Sequence, residues 1–120
     1  MKFVSIDGVE IEKLGHTELV THLAENTFFK FMDSGRQGMV NAAGDAIDNF
    51  SAWIMHRGPF GRGKLRKDIP LPEYFALRRQ AQILLVDGLI LGGMEGVRTA
   101  VSKIYLITLD TVIESNKEKA

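Results

Sequence analysis

The sequence predicts a mainly α fold: an N-terminal β-hairpin followed by about four helices, as two helical hairpins joined by a Gly/Pro-rich basic loop. Three observations carry that prediction. Residues 36–55 place apolar side chains at i, i+3 and i+4 spacing opposite a polar face, the pattern of an amphipathic helix. Glycines at 35 and at 92–93 interrupt helical patterning near the middle of each half. Asp7-Gly8 separates two short runs of alternating character, a hairpin signal because a type I′ turn needs positive φ at both central residues.

The elements follow in order. Residues 1–14 form the hairpin, with Phe3-Val4-Ser5-Ile6 pairing with Val9-Glu10-Ile11-Glu12. An isolated pair of strands is marginal in water, so it must lean on helices or on another chain. Residues 16–56 form the first helical hairpin. Thr17 caps a helix that runs to about Met32, Asp33-Ser34-Gly35 stops it, and a second helix spans Arg36 to Met55. Met39, Val40, Ala43, Ala46, Ile47, Phe50, Trp53 and Ile54 make its apolar stripe, with Asn41, Asp45, Asp48 and Asn49 opposite. Residues 57–71 are the basic loop. Residues 72–116 form the second helical hairpin, with Pro72 at the first helical position, a break at Gly92-Gly93 and a last helix from Glu95 to Ser115. The run Ile83 to Leu91 repeats the Asp-Gly signature at Asp87-Gly88, so the alternative is an α+β fold with a second hairpin at 83–91. On that alternative Asp87 is a turn residue; on the helical one it is a core carboxylate paired with Arg78, Arg79 or Arg98.

At 120 residues the chain is expected to be a single domain, 1–120. Its greasiest run is nine residues long and includes Asp87, far short of the ~20 apolar residues a membrane span needs. The N-terminus has no apolar run of signal-peptide length. The absence of cysteine excludes disulfides, thiolate metal sites and a cysteine nucleophile, and fits a reducing compartment. A cytoplasmic protein is the expectation.

Fifteen Lys and Arg balance fifteen Asp and Glu. This excludes a uniformly basic nucleic-acid coat and an acidic mimic of DNA. The neutrality is not uniform: residues 1–56 carry −4, residues 57–79 carry +5 and residues 80–120 carry −1. His56, Arg57, Arg62, Lys64, Arg66 and Lys67, with Arg78 and Arg79, are therefore candidates for binding nucleic acid or a phosphorylated nucleotide, Phe60 offering a stacking surface. The plainer reading is a solvated basic turn, or one that docks on the acidic half of a neighbouring subunit.

Motifs for catalysis are absent. Gly58 to Lys64 has the glycine and lysine spacing of a phosphate-binding loop, but Leu65 stands where Ser or Thr would hold magnesium, and the segment follows a helix rather than a strand. Glu18, His22 and Glu25 share a helix face, yet the second helix offers Asp45 and Asp48 and no histidine to complete a metal set. No serine lies in a nucleophile elbow. The sequence thus predicts no enzyme, no cofactor and no bound metal.

What stands out is apolar surface in excess of what one packing face can bury. Phe29 and Phe31 point about 160° apart on a helix, since successive residues rotate by ~100°. Ile104-Tyr105-Leu106-Ile107 covers a full helix circumference, and Ile83 to Val86 does the same. In a chain this small, surplus of that kind favours burial by another subunit. Phe28, Phe29, Tyr105, Leu106 and Ile107 are the predicted interface residues.

Two resemblances accompany this reading. The run Pro72-Glu73-Tyr74, Ala76-Leu77-Arg78 and Ala81, followed by a further helix, resembles the two-helix segment of phage proteins that sequester cyclic nucleotides. It covers about half the chain, and the basic loop, the N-terminal half and the second-helix motif depart from the pattern. A short strand region followed by helices is also similar to phage tail-assembly chaperones. Both imply a phage or mobile-element accessory protein, and neither assigns a residue. The predicted function is a non-enzymatic interaction protein, acting as a homo-oligomer or as an adaptor or inhibitor of a larger protein; the alternative is anion or nucleic-acid binding through residues 56–67 with Arg78 and Arg79.

Overall fold

A computed structural model describes residues 3, 6, 8–57 and 69–117. They form two long helices, α1 (His16–Arg57) and α2 (Leu71–Lys117), preceded by one 3-10 turn at Ile11–Lys13. Helix makes up 91% of the described residues, and none of them lies in a strand. This corrects the predicted fold in three respects: among the described residues there is no N-terminal β-hairpin, there are two long helices rather than about four, and 83–91 is interior to α2 rather than a second hairpin.

The N-terminal correction has a local cause. The turn itself forms: Gly8 has φ 72, and the Val9 amide donates to the Ile6 carbonyl at 3.0 Å. Among the described residues the bridge between Ile6 and Val9 is the only such pairing. Ile6 and Ile11 are both buried against the helices, and Ile11 begins the 3-10 turn. Burying two side chains from one short segment outweighs a two-stranded ladder that is marginal in water. The segment is anchored by the Trp53 indole, which donates to the Leu14 carbonyl at 2.9 Å. α1 then starts at His16, with the Glu18 carboxylate accepting from the Gly15 amide at 3.0 Å. That is the reciprocal half of a capping box, and it replaces the cap expected from Thr17.

The predicted stops at Gly35 and Gly92-Gly93 are reversals within α1 and α2 rather than boundaries between separate helices. Gly35 has φ 55, ψ −129 and Gly93 has φ 55, ψ −131, and each is the residue at which its helix leaves helical geometry. Straight helices of these lengths would span ~60–70 Å, yet the longest dimension of the molecule is 42 Å. The two arms of each helix therefore run back along one another. Their contact is backbone to backbone: a Cβ on Gly38 would lie 1.8 Å from the Lys30 carbonyl oxygen, and one on Gly96 would lie 1.8 Å from that of Gly88.

One core joins everything. Met39, Ala43, Ile47, Phe50 and Ile54 of α1 pack with Leu77, Ala81, Leu85, Val97, Val101, Ile104 and Val112 of α2. The stripe read from residues 36–55 is the inner face of α1's second arm. Edge-to-face contacts link Tyr105 to His16, Phe50 and Trp53, with ring centres 4.4, 5.3 and 6.2 Å apart.

Candidate interaction surface

The second arm of α1 runs antiparallel to the first arm of α2. Asp48 lies beside Tyr74, Gly44 beside Arg78, and Arg36, Met39 and Val40 share a groove with Gln82, Ile83, Val86 and Asp87. Residue numbers rise along one arm as they fall along the other, so Gly35 and Gly93 lie at the same end of the molecule.

A polar seam holds this register. Asp45 accepts from Asn26 Nδ2 at 3.1 Å and pairs with Lys30 Nζ at 3.3 Å, tying together the two arms of α1. Asp48 accepts a hydrogen bond from the Tyr74 hydroxyl, which ties α1 to α2. The Arg78 guanidinium lies 5.9 Å from the Tyr74 ring centre and 3.5 Å from where a Cβ of Gly44 would stand. Partial burial pushes the Asp48 carboxyl above the usual range, the Tyr74 hydrogen bond and the Arg78 charge opposing that rise while Asp45 adds to it. Burial, reinforced by the Asp48 hydrogen bond, pushes the Tyr74 hydroxyl up to about 12. The raised Tyr74 value keeps that hydroxyl protonated at neutral pH, and therefore a donor to Asp48.

Beyond the seam the surface turns apolar. Eight of the eleven large hydrophobic side chains exposed among the described residues belong to residues 29–32 and 83–94, toward the end where both helices reverse. Leu91 is 86%, Met32 77% and Ile90 74% exposed. Ile83, Val86 and Ile90, at i, i+3 and i+7, make a ridge along α2's first arm. Two shallow grooves flank that ridge. One, of about 350 Å³, lies against α1 and is lined by Arg36, Met39, Val40, Ile83, Val86 and Asp87. The other, of about 420 Å³, lies against α2's own returning arm, with Leu84, Leu91, Ala100 and Lys103 in its walls and Gly88 and Gly96 at the close approach of the arms. Asp87, exposed and helical, lines both grooves, so it is neither a turn residue nor a core carboxylate.

The predicted interface residues are split up by the fold. Phe29 and Leu106 are exposed, at 63% and 57%, on different helices. Phe28, Tyr105 and Ile107 are half-buried against the core, Tyr105 within its aromatic cluster. The exposed ridge at Ile83, Val86, Ile90 and Leu91 is not among the predicted interface residues, although the all-round apolar run of Ile83 to Val86 signalled part of it.

The predicted anion-binding residues are also dispersed. Arg62, Lys64, Arg66 and Lys67 lie outside the described residues, as does the side chain of Arg57, the last residue of α1. His56 is half-buried, with its ring 5.9 Å from that of Phe3 in an edge-on contact. Arg78 belongs to the seam with Asp48 and Tyr74, and Arg79 is exposed. His22 has its Nε2 buried without a hydrogen-bond partner, and among the described residues no group of three acidic or histidine side chains is placed to hold a metal ion. No described helix is long and apolar enough to cross a membrane. No protein-family model, no curated protein and no solved structure matches this chain.

Proposed function

We propose that the chain is a non-enzymatic protein-interaction module whose binding face is the apolar ridge and grooves at the end where both helices reverse. The observation that carries this reading is the concentration of exposed Met32, Ile83, Val86, Ile90 and Leu91 there. The largest apolar patch on a typical monomer covers about 300–600 Å² and is often functional. These five large side chains are 39–86% exposed and lie toward one end of the molecule. The surface fits docking better than chemistry: the grooves are shallow, and the titratable groups in the seam are engaged with each other. A homo-oligomer and an adaptor on a larger protein both use such a face.

A photo-crosslinking amino acid placed at Ile90 in cells tests the reading, with the same group at exposed Gln80, outside the patch, as control. The module predicts a discrete protein–protein crosslink from position 90 that position 80 lacks. Equal or absent crosslinking at the two positions contradicts it.

A further inference from the structure

We infer that the partner is a second copy of this chain, docked about a two-fold axis so that the Ile83–Val86–Ile90 ridge of each protomer fills the partner's groove against α1. The inference rests on the interaction-module reading and commits it to one occupant.

Shape and charge on the same surface argue for it. In a two-fold interface, whatever one protomer presents must be received by the same patch on the other, so the patch must be self-complementary. This one carries a ridge and, immediately beside it, a groove of about 350 Å³ running in the same direction. Ridge into groove is how helices pack on one another. A flat apolar face, or a groove without a ridge, would not have this property.

The charges repeat the relation. Arg36 stands on the α1 wall of the groove, and Asp87 stands on the ridge side. Both are exposed, and no ion pair joins them within the protomer. When the ridge of one copy enters the groove of the other, it carries Asp87 toward the partner's Arg36, and the two-fold axis makes the contact twice. A patch rimmed by one sign of charge would repel its own copy; this rim carries both. The exposed apolar area also suits pairing. The exposed ridge and the apolar groove walls of Met39 and Val40 together supply the apolar centre that a two-fold interface buries.

Charge reversal tests the pairing in a way that no other partner can mimic. Arg36→Asp gives a chain acidic at both positions, and Asp87→Arg gives one basic at both. Sedimentation velocity on wild type should show a particle of twice 13.4 kDa. Each variant alone should weaken association by about tenfold or more, because both contacts become like-charged. Mixed in equal amounts, the two variants should recover association, because every acidic position then meets a basic one. Circular dichroism should leave all chains equally helical. A monomeric wild type, variants that dimerise as tightly as wild type, or a mixture that fails to recover would each overturn the inference. A position-90 crosslink to a different protein would overturn it while leaving the interaction module standing. No crosslink at that position would remove both.

Discussion

At the scale of single residues, Asp48 is the most informative position. It sits half-buried where α1 meets α2, accepts from Tyr74, and has a carboxyl raised mainly by loss of water. A raised folded-state pKa means that the folded chain holds the proton more tightly than the unfolded chain. The associated stability is present below the ordinary carboxylate pKa, about 4, and is lost as pH rises through the raised value. At neutral pH the folded protein thus bears the cost of an ionised, partly desolvated Asp48. Asp48→Asn keeps an acceptor for Tyr74 and removes that cost. The variant should be at least as stable as wild type at neutral pH, with the difference vanishing as pH falls to about 4. Urea denaturation at the two pH values checks this, and a variant clearly weaker at neutral pH would contradict it. The sequence showed Asp45 and Asp48 on a polar helix face, which solvation explains well enough. It could not show that Tyr74 and Arg78, some thirty residues on, would be folded over them. Nor could it show that Arg78 would lie over the Tyr74 ring, or that Tyr105 would join Phe50 and Trp53 in one aromatic cluster.

At the scale of elements, the glycines decide the architecture. Gly35 and Gly93 combine φ 55 with ψ near −130, a conformation that side chains with a Cβ rarely adopt. Gly93→Ala should cost about 1–3 kcal/mol through backbone strain alone, with nothing within 4 Å of the new methyl to add to it. Gly96→Ala should cost about 3 kcal/mol or more, because its Cβ would run into the carbonyl of Gly88 and the arms would have to separate. Thermal unfolding of the two variants would rank them in that order; the reverse order would show that the reversal geometry outweighs the close approach. The positions of the breaks were legible in the sequence, because glycine in a helical pattern has a local meaning. The helix count was not, since one non-helical residue, rather than a loop, separates the two arms of each helix. The N-terminal hairpin failed for a related reason: Asp7-Gly8 reports the turn, whereas strand pairing competes with burial of Ile6 and Ile11 against residues far along the chain.

For the whole molecule, the apolar excess visible in the sequence is real, and it includes Phe29 and Leu106 but extends well beyond them to residues 31–32 and 83–94. A residue list shows which helices are too greasy for one packing face; only the fold shows which part of the excess the core absorbs. The core takes Ile104 and most of Tyr105 and Ile107, and what remains exposed gathers where α1 and α2 both turn back. Sedimentation equilibrium of wild type and Ile90→Glu over a wide micromolar range tests most directly whether the chain pairs through that end. Ile90 is 74% exposed, so the substitution leaves the core intact. The account predicts concentration-dependent dimers for wild type and monomers of unchanged helicity for the variant. The same association state in both chains would contradict it.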